Sequence, residues 1–295
     1  MTYTCRRCKE EVCVTEEDVR RAEERGYLCD LCFSVIVERK YPRYHFRRAR
    51  SVFSPSSSAL GDWIIESVVR ERYQEDNPHE EIIYLGLADA EEAIRVYRPD
   101  KFFWSSITNF MEKPKSFKVI EYNPAVEATL LAAEGIYPVY DWSKSEKIET
   151  PERYAVLSFR NVMKCGWKNA EPIIANRVML RLDLLVERGV LDGAVIIGND
   201  DPMPEVYMPD WCVDLRKKLE LPEIARLCAG AAIFVGKDSG IPHLAAASGC
   251  QNMIVWGYRE RNWIVKAPPE RFTALFSVES KPEMIAAEIN KRLNA

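Results

Sequence analysis

The chain has 295 residues, 47% of them hydrophobic, and a formal net charge of −4. That length suits two packed α/β domains, or one large one, plus a small module. No stretch approaches the roughly 18 apolar residues of a membrane helix, and so mild an acidic balance gives no broad electrostatic footprint for a polyanion. The N-terminal MTYTCRRCKEE has no signal-peptide core, so a soluble cytoplasmic protein without a membrane span is expected. In that setting its nine cysteines read as thiols or metal ligands rather than disulfides.

Residues 1–50 form a distinct module. Cys5-Arg-Arg-Cys8 and Cys29-Asp-Leu-Cys32 are two C-x2-C pairs whose four thiolates suit a tetrahedral structural Zn2+. Such an ion would hold together a segment too short to bury its own core. Between the pairs, Thr15 and Asp18 suggest a helix start and Gly26 its end. Cys13 is a fifth candidate, free to replace a ligand or to pack. The strip RKYPRYHFRRARSVF follows, with six cations interleaved with aromatics. It reads either as a nucleic-acid surface or as a linker whose arginines meet the acidic remainder of the chain, and the net charge favours the linker.

An α/β pattern begins at Ser51. A short strand Ser51-Val-Phe53 leads into a small-residue loop through Gly61 and Asp62, then a helix with Ile64, Ile65, Val68, Val69 and Tyr73 at helical spacing. An Asp in that first turn is ordinarily a dipole partner. Strands EIIYLGL, KFFW and FKVIEY follow, with a short helix near Asp89–Arg95 and another from Pro124 to about Ala133. The polar stretch SKSEKIETPER, residues 143–153, suits an interdomain linker. The expected division is therefore 1–50, 51–145 and 146–295.

The second set runs YAVLSF (strand), Ala170–Arg188 (helix), GAVIIG (strand) followed by Asn199-Asp200-Asp201, Pro222–Cys228 (helix), AAIFVG (strand) and NMIVWG (strand). A last helix opens with Ser280-Lys-Pro-Glu283, a capping-box pattern, and buries Ile285, Ile289 and Leu293. Between its two final strands stands KDSGIPHLAAASG, residues 237–249. A buried strand that leaves through Lys-Asp-Ser-Gly into a helix whose first turn holds Pro242 directs unpaired backbone N–H groups, with the positive end of the helix dipole, at the sheet's carboxyl edge. Phosphate fits such a place. Gly240 would admit a ligand close to the backbone, and Asp238 and Ser239 could cap the helix or take sugar hydroxyls. An ordinary strand-to-helix turn capped by Ser239 fits this stretch equally well.

The run DLRKKLELPEIARLCAGAAIFVGKDSGIPHLAAASGCQNMIVWG resembles the C-terminal half of the heptosyltransferase-like glycosyltransferases, family nine, with its D-[ST]-G-x-x-H-L-A-A loop and helix. SALGDWIIES resembles that family's N-terminal S-x-G-D loop. The resemblance covers about residues 51–295 and implies a GT-B fold: two Rossmann-like α/β domains, here preceded by the zinc module. It implies an inverting, metal-independent transfer of a heptose-like or hexose sugar from a nucleoside-diphosphate donor. Lys237, Asp238, Ser239, Gly240 and His243 would then hold the donor, with Gly61 beside them. In SFRNVMKCGWKN, similar to the family's K-x-W region but one residue longer between Lys and Trp, Arg160, Lys164 and Lys168 would steady the leaving diphosphate, Lys164 foremost. Asn199, Asp200 and above all Asp201 would meet the ribose, and Asp62 would take the acceptor's proton. His243 reads also as a first-turn histidine bonded to a neighbouring loop. The acceptor, whether glycan, protein or nucleic acid, is not named by the sequence. Two other functions fit: a nucleic-acid-binding or nucleic-acid-modifying protein using the zinc module, and a non-catalytic GT-B scaffold.

Overall fold

The structure is a computed structural model that describes residues 2–4, 11–13, 51–53, 60–76, 78, 82–87, 102–105, 118–120, 124–143, 145–159, 170–198, 203–258, 264–276 and 280–294. Strands β1 (Thr2–Thr4) and β2 (Glu11–Cys13) pair antiparallel, Thr2 opposite Cys13 and Thr4 opposite Glu11. Cys13 is thus a strand residue. Cys5, Cys8, Cys29 and Cys32 lie outside the described residues, as do the basic strip and the expected helix near Asp89–Arg95.

Contacts divide the chain into two compact units, Met1–Ala59 with Arg70–Asn123, and Leu60–Val69 with Pro124–Ala295. The first holds a four-stranded parallel sheet in the order β5-β4-β3-β6, from β3 (Ser51–Phe53), β4 (Ile82–Leu87), β5 (Phe102–Ser105) and β6 (Lys118–Ile120). Helix α1 (Leu60–Asp76) contributes its first ten residues to the second unit. So does α2 (Pro124–Ala133) with the chain up to residue 145, a stretch placed with the first α/β set by pattern alone.

The second unit carries a six-stranded parallel sheet, order β12-β11-β10-β7-β8-β9. Its strands are β7 (Tyr154–Ser158), β8 (Gly193–Ile196), β9 (Cys212–Asp214), β10 (Ile233–Lys237), β11 (Met253–Tyr258) and β12 (Phe272–Phe276). The helices are α3 (Pro172–Glu187), α4 (Leu221–Gly230), α5 (Gly240–Ala247) and α6 (Pro282–Leu293). Strands β9 and β12 escape the sequence pattern because they are edge strands, half-covered and without a continuous apolar run.

The central strands are buried on both faces, hence their unbroken apolar runs. One alternating set, Leu157, Val235, Ile254 and Trp256, meets Val178, Leu182 and Leu185 of α3 and Ile285 and Ile289 of α6 in a single core. The other set, Val156, Phe234 and Val255, is fully buried too, and α4 and α5 bring Ile224, Leu227, Leu244 and Ala245 as cover for that face. The stretch expected as a linker is instead tied into this unit. Tyr140 donates its N–H to the Ala247 carbonyl at 2.8 Å, Trp142 Nε1 donates to the Ser248 carbonyl at 3.0 Å, and the Arg226 side chain donates to the Ser145 carbonyl and stands 5.7 Å over the Trp142 ring.

Two expected caps are not formed. Helix α6 starts at Pro282 after Lys281 with no side-chain cap, because Ser280 is engaged elsewhere: its Oγ accepts the Gly257 N–H at 3.0 Å and donates to the Phe276 carbonyl at 2.8 Å. Ser239 stands at the N-cap position of α5 with extended backbone, yet makes no capping hydrogen bond.

Candidate active site

The order of the six-stranded sheet reverses at β7. The chain moves outward through β8 and β9, then returns to the other side of β7 as β10. The carboxyl ends of β7 and β10 therefore border the topological switch point, where open parallel sheets take their ligands. The two strands are hydrogen-bonded neighbours, Gly236 opposite Ser158. The segment after β10 is Asp238-Ser-Gly240, and the segment after β7 carries Arg160, Lys164 and Lys168. Those three cations, and Asn199, Asp200 and Asp201 beyond β8, lie outside the described residues.

Helix α5 begins at Gly240, two residues ahead of Pro242, so that proline falls within the first turn, where its missing N–H costs no helical bond. The turn is anchored by Asp238, whose N–H donates to the Trp256 carbonyl at 2.9 Å. Among the described residues no acceptor meets the N–H groups of Ser239, Gly240 or Ile241, and the Ser239 hydroxyl oxygen is buried without a hydrogen-bond partner. Unused donors at the positive end of a helix, beside a switch point, form a place for an anion.

Gly240 also has a packing task that its sequence does not announce. A Cβ there would stand 2.8 Å from Leu60 Cβ and 3.3 Å from the Gly61 nitrogen. A Cβ on Gly61 would in turn stand 2.7 Å from His243 Cδ2 and 3.1 Å from its Nε2. Both glycines are needed because the first turns of α1 and α5 abut inside one compact unit. Two positive helix ends thus lie together, with Asp62 in the first turn of one and His243, only 5% exposed, in the first turn of the other. Sequence spacing cannot reveal this contact, since about 180 residues separate the two loops.

Along the same sheet edge, β11 is interrupted by a register shift between Trp256 and Tyr258, with Gly257 at φ 86°. A Cβ on Gly257 would meet Lys237 Nζ at 2.5 Å, so the Lys237 side chain lies across that glycine. Burial pushes the Tyr258 phenol well above its ordinary range, and the Asp238 charge adds to the effect.

One further residue is invisible to sequence reasoning. Lys266, in an Ala- and Pro-flanked loop that reads as surface, is 6% exposed. Its Nζ donates to Thr129 Oγ1 of α2 at 2.8 Å, and burial pushes its ammonium down to about 8. Among the described residues no group of three or more His, Cys, Asp or Glu side chains is arranged to hold a metal, and no helix is long and apolar enough to cross a membrane.

Residues 205–280, from just before β9 to the end of the β12 region, match the family described as glycosyltransferase family 9 (heptosyltransferase). No curated protein matches the chain. Several solved structures are similar in fold, among them three that follow. ADP-heptose lps heptosyltransferase II of E. coli aligns at TM-score 0.57 and 12% identity, over 83% of this chain and 98% of that one. A family 9 glycosyl transferase from Veillonella parvula DSM 2008 gives 0.59 and 13%, over 84% and 98%. The dodecameric iron-containing heptosyltransferase TibC, in complex with ADP-D-beta-D-heptose, gives 0.59 and 14%, over 84% and 77%; its enterotoxigenic E. coli source is H10407. At these identities the likeness is one of fold. The family match, which contains the β10–α5 junction, and the shared α/β architecture together support a glycosyltransferase.

Proposed function

We propose that this chain is an inverting, metal-independent glycosyltransferase that moves a heptose-like or hexose sugar from a nucleoside-diphosphate donor, with ADP-heptose the donor suggested by its structural relatives. The observation that carries the reading is the meeting of the α1 and α5 first turns at Gly61 and Gly240, beside unused N–H donors and the β7/β10 switch point.

In this reading the N–H groups of Ser239, Gly240 and Ile241 receive the donor diphosphate, while Asp238 and Ser239 take sugar hydroxyls. Lys237 and His243 flank them. Lys164, with Arg160 and Lys168, balances the charge that develops on the leaving diphosphate, the task a divalent cation performs in other enzymes. Asp201 accepts the ribose hydroxyls. Asp62 takes the acceptor's proton as the acceptor oxygen bonds to the anomeric carbon, and the broken carbon–oxygen bond leaves its electron pair on the diphosphate. Attack opposite the leaving group inverts the anomeric centre. The four-stranded unit would then serve the acceptor and the six-stranded unit the donor.

A thermal-shift series with ADP-, GDP-, UDP- and CDP-sugars, without added Mg2+, tests the reading. ADP-heptose is expected to raise the melting temperature without Mg2+; a flat response to all four classes would overturn it. The paired cysteines are proposed, on their spacing alone, to hold a structural Zn2+. Elemental analysis of the purified chain checks this, and it should count iron as well, because TibC is described as iron-containing.

A further inference from the structure

We propose that His243 is a positioning residue for Asp62: its imidazole is the surface on which the first turn of α1 is seated, so that the donor-side helix sets where the proton-accepting carboxylate stands. The inference rests on the proposed function and deepens it.

Three ring atoms define the seat. A Cβ built on Gly61 would lie 2.7 Å from Cδ2, 3.1 Å from Nε2 and 3.3 Å from Cγ of His243, distances that only a glycine hydrogen tolerates. The ring therefore lies flat across residue 61, one peptide from Asp62. The contact is reciprocal one turn earlier, where a Cβ built on Gly240 would lie 2.8 Å from Leu60 Cβ and 3.3 Å from the Gly61 nitrogen. Two interlocked points constrain the α1 terminus more than one point would.

The fixed partner of the pair is α5. Its entry is held by the Asp238 N–H on the Trp256 carbonyl, and its exit by the bonds from Tyr140 and Trp142 to the carbonyls of Ala247 and Ser248. Strand β10 beneath it is buried between β7 and β11. The α1 terminus arrives instead from β3, a three-residue strand, through a six-residue connection. Position thus passes from α5 to α1. His243 is 5% exposed, which leaves the ring little room to swing aside.

A mutant cycle on the full chain tests this, with ADP-heptose hydrolysis as the readout. Gly61→Ala is expected to lower kcat by about 100-fold, the cost of a reacting group displaced by about 1 Å, with donor affinity changed by less than about threefold. His243→Ala should lower kcat by about tenfold, over and above any donor affinity lost with the flanking imidazole, because the seat is lost without a clash. In the His243→Ala background Gly61→Ala should cost less than about twofold, since the ring it strikes is gone. Equal costs of Gly61→Ala in the two backgrounds, or a loss confined to affinity, would overturn the proposal. Should Gly61→Ala fail to fold, the kcat and affinity of His243→Ala and of the double variant decide the matter alone. A wild-type chain that neither binds nor hydrolyses any of the ADP-, GDP-, UDP- or CDP-sugars overturns the proposed function and the catalytic half of this inference. The seating is then judged by whether His243→Ala abolishes the melting-temperature loss caused by Gly61→Ala.

Discussion

The junctions β3–α1 and β10–α5 have the same plan, a strand, a polar small-residue loop and a helix whose first turn holds a glycine. They differ in what holds them. The second leaves a strand with buried neighbours on both sides and is tied back to β11 through Asp238. The first leaves a three-residue strand, and its helix begins in the other compact unit, against α5. One junction is held by its own sheet; the other is packed against α5. Under the proposed function, such a site would keep its donor grip while losing its proton acceptor, but not readily the reverse.

The largest expected break in that comparison is Asp62→Asn. It should reduce kcat for ADP-heptose hydrolysis by on the order of 10²–10⁴ and leave the melting curve and donor affinity almost unchanged; intact turnover would remove Asp62 from its role. Gly240→Ala attacks the fixed junction, where the new methyl would stand 2.8 Å from Leu60 Cβ. It should cost about 1–3 kcal/mol of stability and weaken donor binding as well. Gly189→Ala is the control: φ is 68° but nothing lies within 4 Å, so about 1–2 kcal/mol of backbone strain should appear in the melt with no effect on the donor. If Gly240→Ala and Gly189→Ala behave alike, the interlock is not felt.

The smallest effect concerns Lys266, which ties α2 to the loop beyond β11. Burial lowers its ammonium from 10.5 to about 8, so between those pH values the unfolded chain holds a proton that the folded chain has released. Stability of the wild type relative to Lys266→Met should therefore rise as the pH climbs from about 8 toward 10.5. The subtraction removes the opposite drift from Cys212, Cys250 and Tyr154, whose pKa values burial pushes up to about 12. Urea midpoints of both proteins along that pH range provide the measurement, and parallel curves would contradict the buried charge.

Much of this architecture is written in local pattern. Strands β7, β8, β10 and β11 announce themselves as apolar runs because parallel strands covered on both faces admit nothing else. Helix α3 shows itself through Ile174, Val178, Leu182 and Leu185 at helical spacing. The capping pattern at Ser280 misleads for a reason sequence cannot hold: Gly257, a bulge residue 23 positions earlier, takes the hydroxyl first. The polar stretch 143–153 reads as a linker, yet its neighbours Tyr140 and Trp142 bind the end of α5, and nothing in its composition names that partner.

The sequence by itself determined the α/β class, most strand and helix positions, and the strand–loop–helix junction at Asp238–Gly240, because hydrophobic period and glycine placement act over a few residues. Only the tertiary structure decided that Gly61 and Gly240 make room for each other's helices, that His243 lies on Gly61, and that Lys266 is buried on Thr129. Each of these depends on two surfaces brought together from distant parts of the chain, and close packing, unlike periodicity, leaves no trace in either segment read alone.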